Sequence, residues 1–72
     1  MSTEGKLYRV RGDALIGISG EARANRSIVR EHGYLWVFAG EWEKGHTKYK
    51  AYKSITTGEL SPFADYEMEE LE

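Results

Sequence analysis

The sequence predicts a mainly β fold: a small antiparallel sheet or a partly open barrel, with at most one short helix near residues 21–32. Three observations carry this expectation. The densest apolar run, Tyr34-Leu35-Trp36-Val37-Phe38-Ala39, is rich in aromatic and β-branched residues and is bounded by Gly33 and Gly40. Thr47–Ile55 alternates in the two-residue period of a strand, with Tyr49, Ala51, Lys53 and Ile55 on one face and Lys48, Lys50, Tyr52 and Ser54 on the other. Short apolar runs elsewhere are separated by turns containing glycine.

Taken in order, residues 1–5 are small and polar and are expected to fray. Lys6–Arg11 reads as a strand with Tyr8 and Val10 on one face. Gly12-Asp13 is a turn signal. Ala14–Gly20 reads as a strand bent at Gly17, because glycine weakens a helix and invites a bulge in a strand. Residues 21–33 admit two readings. Ser27–Arg30 can pair with Tyr34–Ala39 in a hairpin that turns at His32-Gly33, which the β-branched Ile28 and Val29 favour. The rival is a helix stopped by Gly33, with Arg23, Arg26 and Arg30 as a basic stripe and Ala24 and Ile28 facing the core. The hairpin is preferred, since Asn25 and Ser27 weaken a helix.

The central strand Tyr34–Ala39 turns Tyr34, Trp36 and Phe38 one way and Leu35, Val37 and Ala39 the other. Both faces are apolar. Either the rest of the chain wraps round the strand, or one face serves a partner. Glu41–His46 reads as a loop or loose strand extension. After Thr47–Ile55, Thr56-Thr57-Gly58 is a turn, and Glu59–Phe63 starts a last strand that Pro62 confines to a sheet edge. The expected core is Leu7 or Val10, Ile16, Trp36, Phe38 and Ile55. One domain is expected over residues 1–64, followed by an acidic tail over residues 65–72. That tail is either frayed or docked through Tyr66, Met68 and Leu71.

The chain of 72 residues carries a net charge of −2, unevenly distributed. Up to Gly58 there are ten basic against six acidic residues, a net of +4, and from Glu59 onward six acids and no base. A basic body with an acidic end fits simple DNA binding poorly, because the acids repel phosphate or compete for the basic face. The absence of cysteine excludes disulfides and thiolate metal sites. No apolar run approaches the ~18 residues of a membrane span. The first twenty residues also lack the pattern of a signal peptide. A soluble, cytoplasmic protein that does not engage membranes is therefore expected.

No catalytic constellation stands out, so no enzyme and no cofactor are expected. His32 and His46 sit beside glycines in expected turns and read as surface histidines. Glu41, Glu43 and His46 are too few at suitable spacing to predict a metal. No glycine pattern matches a nucleotide-binding loop. Seven Trp and Tyr residues exceed what so small a core comfortably hides, and Arg, Tyr and Trp are enriched at interface hot spots. The candidate partner contacts are Arg9, Arg11, Arg23, Arg26 and Arg30, the aromatics Trp42, Tyr49 and Tyr52, and Asp65, Tyr66, Glu67 and Met68 at the acidic end. Trp36 is expected inside and Trp42 partly exposed. The leading expectation is a non-catalytic, monomeric module that binds a large protein partner through two surfaces of opposite charge. The alternative is a single-stranded nucleic-acid-binding barrel using Lys48, Tyr49, Lys50, Tyr52 and Lys53, which interleave cations with stacking platforms.

From Tyr52 to Glu70, the order of lysine-rich strand, Thr-Gly turn, Pro-Phe strand and acidic finish is similar to the end of SH3-like barrels. Through Tyr34–Trp42 and Asp65–Glu72, the whole chain resembles small bacteriophage-encoded regulators of host RNA polymerase, in particular the Xanthomonas-phage type of transcription inhibitor and antiterminator. The resemblance implies binding to bacterial RNA polymerase near its RNA exit channel, inhibition of initiation, promotion of antitermination, and residence in the bacterial host cytoplasm.

Overall fold

The structure, a computed structural model, describes residues 5–71. The expected fraying of the N-terminus falls largely on residues 1–4, and the acidic stretch ends at Glu72; these lie outside the described residues. Among the described residues the fold is a five-stranded, open antiparallel sheet with one α-helix. Strands β1 (Leu7–Val10), β2 (Leu35–Lys44), β3 (Thr47–Ser54), β4 (Leu60–Phe63) and β5 (Met68–Glu70) stand in the order β4-β3-β2-β1-β5. The helix α1 spans Gly20–His32. With β4 and β5 at opposite edges, the sheet stays open and does not close into a barrel.

Strand β2 is central, as its composition demands, and it extends beyond Ala39. Of the two readings of Glu41–His46, loop or strand extension, Glu41–Lys44 takes the second, and the chain turns at Gly45-His46 into β3. Of the two turn residues only Gly45 has positive φ, +62°, the pattern of a hairpin turn whose first central position suits glycine. The register slips between Phe38 and Gly40, a β-bulge. Pro62 sits in the edge strand β4, where a missing N–H is tolerated.

Cross-strand partners share a face. Tyr8, Trp36 and Ser54 form one row across the sheet, and Phe38, Tyr52 and Ser61 another. Val10, Val29, Trp36, Tyr52, Phe63 and Met68 make the core, with Tyr8, Ala14, Leu15, Ile28 and Phe38 packed against it. Its aromatic rings meet edge to face, Trp36 with Phe63 at 5.1 Å and Tyr8 with Tyr52 at 5.2 Å. Ile16 and Ile55, both expected inside, are exposed. Val29, Tyr52, Phe63 and Met68, not expected there, are in the core instead.

The preferred hairpin is replaced by α1. Strand β2 already has β1 on one side and β3 on the other, so Ser27–Arg30 has no edge to pair with. Ser19 caps the helix by accepting from Ala22 N at 3.1 Å. Gly33 ends it at φ +86°, with its N–H on Val29 O at 2.9 Å. The buried helix stripe is Ala22, Asn25 and Val29, whereas Ala24 is exposed and Ile28 half-buried.

The bent strand expected over Ala14–Gly20 is a 3-10 turn, Gly12–Leu15, and an irregular loop. Gly17 stands at φ +118°, outside strand geometry. The carbonyls of Ala14, Leu15 and Gly17 accept from the side chains of Asn25 and Arg26 instead of a neighbouring strand. The acidic stretch is also part of the fold. Asp65–Glu67 form a 3-10 turn and Met68–Glu70 pair with β1 as an edge strand.

Candidate interaction surfaces

The arginines divide by element. On β1, Arg9 lies opposite Glu69 and donates to it at 2.9 Å. Arg11 meets Asp13 at 3.3 Å, and Lys6 meets Glu70 at 3.3 Å. Arg23, Arg26 and Arg30 all lie on α1 and make no ion pair among the described residues. Arg26 donates through Nη1 to Leu15 O and Gly17 O, both at 2.8 Å, and so fastens the loop before the helix. Leu15, Arg26, Val29, Arg30 and Tyr34 line one groove.

The hairpin β2–β3 carries Trp42 directly across from Tyr49, both half-buried. Its lysines face acids: Lys48 opposes Glu43 and Lys50 opposes Glu41. Lys50 Nζ also lies 3.1 Å from Asp65. Tyr52, expected as a contact residue, is buried, with Phe38 and Phe63 edge to face at 5.8 Å. It is unavailable to a partner in this fold.

The acidic end separates into exposed and buried members. Asp65 and Tyr66 are exposed, while Glu67 and Met68 are buried. Tyr66 stands where three shallow grooves meet, and its hydroxyl donates to Glu21 Oε1 at 2.5 Å. That bond holds the Glu21 carboxyl below its ordinary range. Glu67 accepts from Asn25 Nδ2 at 2.6 Å and from Ala64 N at 2.7 Å. Burial pushes its carboxyl up, and these two bonds oppose the push. Glu67 therefore locks the acidic end to the helix and is no surface contact.

Asn25 and Glu21, which anchor this end, were missed in the sequence. The available signal was the spacing of Asn25 from Ala22 and Val29, which places it on the buried helix stripe, where a polar group needs a partner. A second unforeseen cluster closes the helix C-terminus. Ser54 Oγ donates to His32 O at 2.5 Å and accepts from Thr56 N and Thr57 N, while His32 Nδ1 lies 2.7 Å from Thr57 Oγ1.

The face of the sheet turned away from Trp36 has a row of its own: Leu7, Val37, Lys53 and Leu60 on four adjacent strands. Leu35 lies beside it, opposite Arg9. Leu7, Leu35 and Val37 are half-buried, and Leu60 and the neighbouring Ile55 are exposed. The single helix packs on the other face. Among the described residues no three His, Asp or Glu converge to hold a metal, and no helix is long and apolar enough to cross a membrane. No protein-family model, no curated protein and no solved structure matches this chain.

Proposed function

We propose that the chain is a non-catalytic protein-binding module, a phage regulator of bacterial transcription that binds host RNA polymerase, inhibits initiation and promotes antitermination in the host cytoplasm. The supporting observation is the sheet face carrying Leu7, Leu35, Val37 and Leu60, which the helix leaves uncovered. An apolar face crossed by Lys53 between Val37 and Leu60, and flanked by Arg9 and Glu69, has the mixed composition of a protein interface. Half-buried Trp42 and Tyr49 add amphipathic anchors on the long hairpin. The choice of polymerase rests on the resemblance of Tyr34–Trp42 and Asp65–Glu72.

The nucleic-acid reading has less support. Its stacking platform Tyr52 is buried, and Lys48 and Lys50 face Glu43 and Glu41 across the hairpin. The test is a titration against bacterial RNA polymerase and against single-stranded DNA at several salt concentrations, followed by promoter and terminator assays in vitro. The proposal expects saturable polymerase binding with shallow salt dependence, fewer initiations and more read-through. A steep fall of DNA affinity with salt and no polymerase binding would establish the other reading.

A further inference from the structure

Among the described residues, six of the ten basic side chains make no ion pair: Lys44, Lys48 and Lys53 on the strands, and three arginines that share the helix. Lys6, Arg9, Arg11 and Lys50 are each within 3.3 Å of a carboxylate. Arg23, Arg26 and Arg30, at the spacing i, i+3, i+7, share one stripe of α1 and have no carboxylate partner among the described residues. Glu21, the acid in the first helical turn, is engaged by Tyr66.

This stripe borders apolar surface. Arg26 and Arg30 line a groove with Leu15, Val29 and Tyr34. The adjoining loop displays Ile16 at 76% and Ile18 at 94% exposure. Isoleucines on a slack loop would signify little, but this loop is fastened: both carbonyl bonds of Arg26 fall within it, at Leu15 and Gly17. A preorganised loop loses little entropy when its isoleucines are buried by a partner.

We infer that the groove between α1 and the Leu15–Ser19 loop, with Arg23, Arg26 and Arg30 beside it, docks an acidic amphipathic segment of a partner protein. Carboxylates of that segment meet the arginines, while its apolar side chains enter between Leu15, Val29 and Tyr34 and against Ile18. Phosphate would satisfy the arginines but leave the isoleucines in water, which disfavours nucleic acid. A concave groove receives side chains from a peptide and offers less to a planar bilayer. The inference rests on the reading of the chain as a protein-binding module, though not on which protein it binds.

The test is backbone-amide NMR of the full chain titrated with a helical peptide of Leu and Glu, a matched peptide of Leu and Lys, oligo-dT, and vesicles containing phosphatidylglycerol. The expected result is saturable shifts at Leu15–Ser19, Arg26, Arg30 and Tyr34 with the acidic peptide alone. Arg23→Gln with Arg30→Gln should weaken that binding about tenfold, and Ile18→Ser should weaken it independently. Shifts elsewhere, or equal binding of the Lys peptide, would overturn the inference, as would oligo-dT or vesicles binding the patch more tightly than the acidic peptide. Titrating the same variants against RNA polymerase separates the two readings. Polymerase binding untouched by the substitutions, together with no acidic-peptide shifts at the groove, would sink the groove and leave the module standing. Acidic-peptide binding without polymerase binding would do the reverse for the named partner.

Discussion

Gly33 ends the helix in a conformation that L side chains rarely adopt, φ +86° and ψ −179°. A Cβ there would lie 3.1 Å from Thr56 Oγ1, within the cluster that holds His32 and Ser54. Gly33→Ala should therefore destabilise by about 1–3 kcal/mol, read from denaturant midpoints; an unchanged midpoint would contradict the strain. Trp36 is fully buried at the centre of the sheet, and Trp36→Ala should cost about 3–5 kcal/mol, leaving a poorly folded chain in thermal melts. Tyr52 makes a different prediction. Burial pushes its phenol from the ordinary 10 up to about 12, with smaller contributions from Tyr8 and Asp65. The unfolded chain thus releases this proton first. The stabilisation from a neutral phenol is fully present below pH 10 and is lost as pH rises toward 12. Tyr52→Phe should match the parent near neutrality and lose less stability in alkali; parallel pH profiles of melting temperature would disprove this. Trp36 was legible because one run of apolar residues surrounds it. The pair of Asn25 and Glu67 was not, because its members lie 42 positions apart and neither residue type favours burial.

At the scale of elements, the strands were legible and the segments beside them were not. Alternation marked β1 and β3, and Pro62 marked β4 as an edge. The helix was obscured by Ile28 and Val29, whose β-branching reflects local preference, whereas the decision lay in distant pairing: β1 and β3 occupy both sides of β2. The acidic end was obscured by its charge. Its neutralising partners are spread over β1 and β3, and no local pattern announces that Glu69 meets Arg9 or that Asp65 meets Lys50. Its standing as an element can be measured. Met68 is buried in the core and pairs with Val10 at the sheet edge. Met68→Ala should destabilise by about 2–5 kcal/mol, whereas Glu69→Gln, which touches only a surface ion pair, should change stability by about 0–1 kcal/mol. Equal and small effects in chemical denaturation would return residues 65–71 to the role of an accessory tail.

For the whole molecule, the fold class followed from a few strong strands, but the charge map needed the fold. Along the sequence the chain is a basic body with an acidic end. In space the acidic end lies along β1 and against β3, where Glu69, Glu70 and Asp65 pair with Arg9, Lys6 and Lys50. The acidic end thus pairs with part of the strand-side charge, while the three helix arginines make no ion pair among the described residues. Opposite charge of this kind governs encounter more than residence. It also sets how strongly phosphate is attracted, since each phosphate contact adds to the salt dependence of binding. If the acidic end screens the strand-side cations, Glu69→Gln with Glu70→Gln should release Arg9 and Lys6 and raise affinity for single-stranded DNA. The rise should come with a steeper salt slope, by roughly one to two phosphate contacts. Stability should barely move, because exposed ion pairs are worth about 0–1 kcal/mol each. Fluorescence titrations of a labelled oligo-dT over a range of salt, with parent and double variant side by side, measure both quantities. Unchanged affinity and slope would show that the acidic strand does not guard Arg9 and Lys6 from phosphate, and that its acids serve only to pair β5 with β1.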